Sequence, residues 1–439
     1  MTSFLAAPLD ASLRLPSDSG AGLALPSTAK APARKRAPPP VLSMAIKGSN
    51  APVTSPGQTE QSCSPPPSML VFSGGTAFNG VVEELKKFTT HVTHVLPVSD
   101  DGGSTAEIVR VLGGPAVGDI RSRCVRLADE SSVEALAVKR LLGHRLPLDP
   151  VHAKAEWYTI VEGENHLWEG VSGPYRETIR AFLVYFQNQI LCRSNEHFCF
   201  SNGSIGNFFF AGARIFFQSL EAAIFLFSRV SQIPIDSYVL PVICTNDRLT
   251  LGCELQNDSI IRGQNQISHP LVSEYPGEFS HCVNKVFPAV NPTVLEHLSR
   301  VQAIVYGMGS LFTSICPSLV LHGVGEIIAR QCCLKILILN ATHDRETFGM
   351  SASDFVVSIC NTLNRKHSDP RKTLNFPATM YINYIIVPSG GSIEVDTKAL
   401  LSLGINRVIS VKIMHDEKDR PIYEPKALIQ ALKQIIISP

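Results

Sequence analysis

The chain has 439 residues, 39 Lys and Arg against 38 Asp and Glu, and 44% hydrophobic residues. That is a globular composition, and a net charge of +1 argues against a broad nucleic-acid-binding surface. There is no run of about 20 apolar residues, the length of a bilayer-spanning helix, so no membrane span is predicted.

The eleven cysteines include no C-x-x-C pair. This argues against a disulfide framework or a structural zinc site, and for reduced, mostly buried thiols in a reducing compartment. Residues 1–68 carry 12 of the 30 prolines, 11 serines, 11 alanines and a single aromatic residue, Phe4. Such a segment buries too little apolar surface to offset its chain entropy and is expected to be disordered. It is Ser-rich, acid-poor and basic, the composition of an organelle transit peptide. Chloroplast import is the expectation, with a cytoplasmic protein carrying a plain tail as the alternative.

From Met69 onward, strand and helix patterns alternate. Strands are predicted at 69–73, 92–99, 239–244, 302–307, 335–340, 382–388 and 406–411, with helices near 80–88, 317–329, 351–363 and 424–436. Phe208–Phe227 is apolar but carries Arg214, Gln218 and Glu221, which fits a buried helix pair. Residues 249–263 read as an antiparallel hairpin around Gln256-Asn257-Asp258. Residues 145–200 read as an irregular, aromatic-rich insertion. The predicted fold is a Rossmann-like, doubly wound α/β domain over 69–439 with a mainly parallel sheet.

The loops at strand ends hold the candidate chemistry, because open α/β sheets bind ligands there. Ser73-Gly74-Gly75-Thr76 and Asn79 follow the first strand and read as a phosphate cradle or a tight turn. Asp100, Asp101, Gly102, Gly103 and Ser104 follow the second. Adjacent carboxylates there suit a ribose hydroxyl or Mg²⁺ completed by substrate phosphates, and an Asp-Gly turn is the plainer reading. Gly118, Asp119 and Arg121 open a further helix. Arg121 and Arg123 oppose the dipole in its first turn, so an anionic ligand or a buried acid partner is expected. Asn207 enters the aromatic helix. Gly309, Ser310, Thr313 and Ser314 follow the strand at 302–307 in an anion-site pattern. Asn340 closes the next strand, ahead of Glu346-Thr347. His91 and His94 are expected to have packed or surface roles.

GGTAFN (74–79), SDDGGST (99–105), GDIRSR (118–123), SIGN (204–207), GMGSLFTSICPSLV (307–320) and NATHDRETFGMSASDF (340–355) occur in one order. Together they resemble the CofD family, over roughly 69–415. The resemblance implies a Rossmann-like fold and a nucleotide or phosphate-ester ligand. One branch of that family contains Mg²⁺-dependent 2-phospho-L-lactate transferases, which act on a nucleotide-activated phosphate ester. The other, closer in the later motifs, contains gluconeogenesis factors that bind UDP-sugars or other nucleotides without an established reaction. By resemblance, Gly74, Gly75, Thr76 and Asn79 lie by the nucleotide, Asp100 and Asp101 by phosphates or metal, and Asn207 with Gly309–Ser314 closes the pocket. Ala77 stands where the family usually has Gly, and the insertion lies outside the bacterial pattern, so ligand identity stays open. A transferase, a non-catalytic regulator and an interaction module remain as function classes, and a homo-oligomer is compatible with each.

Overall fold

The computed structural model describes residues 3–8, 66–100, 102–193, 196–254, 260–264, 267, 288–365 and 374–437. Most of the expected disordered segment, and Asp101, lie outside these residues. Within the segment, Ser3–Pro8 (β1) is a strand antiparallel to Leu249–Glu254, where no secondary structure was expected.

The core is a seven-stranded, all-parallel sheet. Its strands are Met69–Phe72 (β2), Val92–Leu96 (β3), Tyr238–Pro241 (β4), Ala303–Tyr306 (β7), Leu334–Ile338 (β8), Tyr384–Pro388 (β9) and Val408–Val411 (β10), in the order β10-β9-β8-β7-β2-β3-β4. All residues of β2, β3, β7 and β9 are buried. Strands covered on both faces must be apolar throughout, which is why MLVF and AIVY lack alternation. Leu249–Glu254 (β5) and Ile260–Arg262 (β6) form the expected antiparallel hairpin, and Ile413–His415 (β11) pairs with Pro421–Tyr423 (β12).

Helices cover the sheet. In chain order they begin with Thr76–Asn79 (α1), Val82–Phe88 (α2), Gly103–Leu112 (α3), Gly118–Leu127 (α4) and Val133–Gly143 (α5). The 145–200 segment is helical, not irregular: Pro150–Glu162 (α6) and Gly173–Leu191 (α7) fill most of it. Trp157 and Ile160 on one helix, and Ile179, Leu183, Phe186 and Ile190 on the other, recur at helical spacing and are buried. Asp149 and Pro150 start the first helix, and Pro174 the second. These punctuating residues broke the pattern into pieces that read as loop.

The aromatic run forms Ile205–Phe217 (α8) and Leu220–Val230 (α9), divided at Gln218. Phe186 stacks on Phe208, and Phe210 on Phe227, at 4.7 and 4.5 Å between ring centres. The expected helix at 317–329 is two short ones, Cys316–Leu319 and Val324–Arg330. Ala352–Leu363 and Pro425–Ile437 match expectation. No single helix among the described residues is long and apolar enough to cross a membrane. The described cysteines are free, but only Cys124, Cys316 and Cys360 are buried, against the expectation that most would be.

Candidate functional site

The strand order reverses between β2 and β7: the chain leaves β2 toward β3 and leaves β7 toward β8. Loops that diverge from neighbouring parallel strands open a crevice at their carboxyl ends. Gly74-Gly75 lies on one side of it and Gly307-Met308-Gly309-Ser310 on the other.

The approach is close enough to require glycine. A Cβ on Gly74 would lie 2.7 Å from Ser314 Oγ, and one on Gly75 would lie 2.1 Å from Asp119 Oδ1. Gly309 has a φ of 149°, and a Cβ there would lie 3.4 Å from that of Ser314. The crevice thus brings together Gly74, Gly75, Asp119, Gly309 and Ser314. Ser310 and Ser314 are half-buried, and their hydroxyls make no hydrogen bond among the described residues. Thr76, the residue after Gly75, is exposed.

A second layer holds this cradle in shape. Arg123 is wholly buried at 0% exposure. Its Nη2 donates to the Gly74 carbonyl at 2.9 Å and to Ser73 Oγ at 3.1 Å, and its Nε donates to Asn79 Oδ1 at 2.8 Å. Nη1 meets His94 Nδ1 at 2.8 Å, so that nitrogen is the acceptor. Burial and the Arg123 charge hold His94 neutral, well below its usual pKa. Across the crevice, the Asn340 side chain takes the Gly309 N–H at 3.1 Å and donates to the Gly309 carbonyl at 2.9 Å. Glu346 accepts from the Phe312 and Thr313 N–H groups at 2.9 and 3.1 Å and from the Thr313 hydroxyl at 2.6 Å. Burial, helped by Asp344, pushes its carboxyl up to about 7.

Several expected ligand contacts are therefore protein contacts. Thr313 is buried and spends its hydroxyl on Glu346. Asn79 is occupied by Arg123 and by Ser122, the latter at 2.8 Å, and Asn340 by Gly309. The acid partner expected for the two arginines is replaced largely by neutral acceptors. A buried guanidinium needs its N–H groups satisfied more than it needs a carboxylate.

The carboxylate facing Asp100 is Asp119. Burial first and the Asp100 charge second push Asp119 up to about 6, against a bond accepted from the Gly75 N–H. Asp100 accepts the Gly102 N–H at 3.0 Å. Gly102 and Gly103 lead into α3, whose N-terminus has no side-chain cap. There Asn207 donates to Ser104 Oγ at 3.1 Å and accepts from Arg121 Nε at 3.1 Å, while a Cβ on Gly118 would meet Thr105 Oγ1 at 2.7 Å. The starts of α3, α4 and α8 thus converge beside the cradle. Arg145 was not identified from sequence, Arg123 was expected to meet an anionic ligand or an acid, and Glu346 was noted only as following Asn340; the loop-supporting roles of Arg123 and Glu346 were missed. Arg145 donates to Ser104 Oγ at 3.4 Å from the first residue of the supposed insertion. Among the described residues no three His, Cys, Asp or Glu side chains cluster as a metal site.

Comparison with known proteins agrees with this architecture. A UPF0052-family protein from Bacillus halodurans superposes with a TM-score of 0.60 at 22% identity, covering 83% of this chain and 99% of that one. An uncharacterized Saccharomyces cerevisiae protein is 31% identical over 413 residues, 75% of this chain and 92% of its own. A gluconeogenesis factor of Halalkalibacterium halodurans is 27% identical over 298 residues, 66% of this chain and 72% of its own. The family model described as 2-phospho-L-lactate transferase CofD matches residues 69–417, and the chain therefore belongs to the CofD family.

Proposed function

We propose that the chain binds a nucleoside-diphosphate-linked ligand with its phosphates in the crevice between β2 and β7, and acts as a 2-phospho-L-lactate transferase-type enzyme. The observation that carries this reading is the meeting of Gly74, Gly75 and Gly309, which clear space, with the unengaged hydroxyls of Ser310 and Ser314, which can donate to phosphate oxygens. Charge-assisted hydrogen bonds to phosphate are about twice as strong as neutral ones.

Asp100 and Asp119 fit a divalent cation. They are two carboxylates close enough for one to raise the other's pKa, and Mg²⁺ is held by one or two carboxylates with phosphate oxygens completing its shell. When bound, the ion would neutralise charge on the phosphates. In such a transfer an acceptor hydroxyl oxygen bonds to the distal phosphorus. The bridging P–O bond breaks, and its electron pair leaves on the nucleoside monophosphate. The acceptor proton passes to a base. The chain's part is to orient the phosphates, exclude water and hold the loops rigid through Arg123, Asn340 and Glu346.

A second reading, a non-catalytic UDP-sugar-binding regulator, is favoured by relatives named gluconeogenesis factor. Thermal unfolding of the full chain with GDP, GDP-linked phosphate esters and UDP-sugars, with and without Mg²⁺, separates the two. A ligand at a hundredfold excess over Kd raises stability by about 2.7 kcal/mol. Mg²⁺-dependent stabilisation by GDP-linked ligands supports the transferase, and metal-independent stabilisation by UDP-sugars supports the regulator. No stabilisation by any of them rejects both.

A further inference from the structure

Beside the phosphate cradle, positive charge gathers with no protein anion paired to it. Arg121 is 7% exposed. Its Nε is satisfied by Asn207, but its terminal nitrogens have no hydrogen bond among the described residues. Arg145 reaches the same place through Ser104 Oγ and the Asn202 carbonyl, at 3.4 and 3.2 Å. Neither arginine is ion-paired among the described residues. Asp119, the nearest acid along the chain, takes a hydrogen bond from Gly75 and forms no ion pair with Arg121, which feels only its charge.

Both guanidiniums lie at the N-terminus of α3, ten residues long and without a side-chain cap. They are linked there through Ser104 and Asn207. Ser204, at the start of α8, is fully buried, its Oγ has no partner among the described residues, and its backbone bridges to Arg145. Two cations and a helix N-terminus repel one another unless an anion sits among them. An open cavity of about 320 Å³ along α3 meets this cluster at Ser104, which Arg145 and Asn207 both contact, and is lined further on by Glu107, Arg110, Ser201 and Asn202. Its walls mix Ala106 and Phe208 with the hydroxyls of Ser104 and Ser201, the Asn202 amide and the Glu107–Arg110 pair, so a small molecule carrying hydroxyl groups can find hydrogen bonds there.

We propose that Arg121, Arg145, Ser104 and the start of α3 form a second oxyanion subsite, which takes the carboxylate or phosphate of a small hydroxylated substrate lying in the α3 groove. This rests on the reading of the neighbouring crevice as a nucleotide site only for which reaction the second molecule enters. The subsite itself stands on residues outside that crevice.

The test is titration of the full chain with inorganic phosphate and, separately, with glycerate, followed by calorimetry with the crevice pre-filled by GDP and Mg²⁺. Phosphate alone, glycerate alone or both identifies the anion. Arg145→Ala removes an exposed side chain and should leave folding intact. It and Arg121→Met should each weaken anion binding by about tenfold or more, the loss of a charged hydrogen bond. Arg126→Ala, which removes an exposed arginine paired with Glu83 instead, should not. Anion binding that is absent, or unchanged in Arg145→Ala and Arg121→Met, overturns the subsite. Loss of GDP binding with anion binding retained overturns only the nucleotide reading.

Discussion

Replacing Gly75 by Ala tests whether the crevice is built by close approach of backbone to Asp119. The added Cβ would lie 2.1 Å from Asp119 Oδ1, 2.7 Å from Cγ and 3.1 Å from Cα. Carbon–oxygen contacts normally begin beyond about 3 Å, so the carboxylate must shift by about 1 Å, and its own backbone blocks the retreat. Gly75 is already helical in conformation, with φ of −76°, so the methyl group causes no dihedral strain and the cost is steric. Overpacking of this kind costs about 1–3 kcal/mol, and losing the Gly75 N–H bond to a carboxylate about 1.5–3. The expected loss is therefore about 2.5–6 kcal/mol. Gly80→Ala is the control, because its Cβ would meet nothing closer than 3.7 Å and should stay within about 0.5 kcal/mol. Urea unfolding at constant m-value reads both. Adding Asp119→Ala to Gly75→Ala should recover part of the loss without restoring nucleotide affinity. Equal stability of Gly75→Ala and Gly80→Ala would refute the argument.

Three further outcomes follow from the second layer. Arg123→Met strands the Gly74 carbonyl, Ser73, Asn79 and His94; at about 1–3 kcal/mol for each buried group left unpaired, it should unfold at least about 3 kcal/mol more easily, and a loss under about 1 would show that water replaces the guanidinium. Thr313→Ala should cost about 1–3 kcal/mol of stability while leaving phosphate affinity intact, whereas Ser310→Ala with Ser314→Ala should do the reverse; comparing unfolding with calorimetric affinity decides it. Glu346 has its carboxyl raised from 4.5 to about 7 by burial, so the folded state favours its protonated form. That contribution is complete below about pH 4.5, fades as pH rises to about 7 and is flat above, by up to about 3 kcal/mol. Glu346→Gln should remove that slope from the unfolding midpoint, and an unchanged slope would assign it to other groups.

The sheet was legible because its strands are continuous apolar runs ended by glycine-rich loops, and each of the seven lies within or next to its expected range. The cradle was legible in part for the same reason: Gly74, Gly75, Gly309 and Ser314 stand at strand ends in the sequence and meet in space. What sequence could not divide was ligand contact from loop support. Asn79, Thr313 and Asn340 carry the same donors and acceptors as a ligand-binding side chain, but each is engaged by a residue 31 to 44 positions away. The influence of Asp100 on Asp119 has the same cause, since residues 19 positions apart meet only once α4 packs against α1 and α2. Residues 145–200 were misread because prolines and glycines at the helix ends broke the pattern of two helices whose buried faces include contacts with α8.

In the proposed site the phosphates lie between Gly74-Gly75 and Gly309–Ser314. A crystal structure of the full chain grown with GDP and Mg²⁺, and another with a UDP-sugar, tests it most directly. Phosphate oxygens are expected within hydrogen-bond distance of Ser310 Oγ and Ser314 Oγ, with Asp119 facing the diphosphate. A nucleotide seated elsewhere on the sheet, with those hydroxyls facing only water, would contradict it.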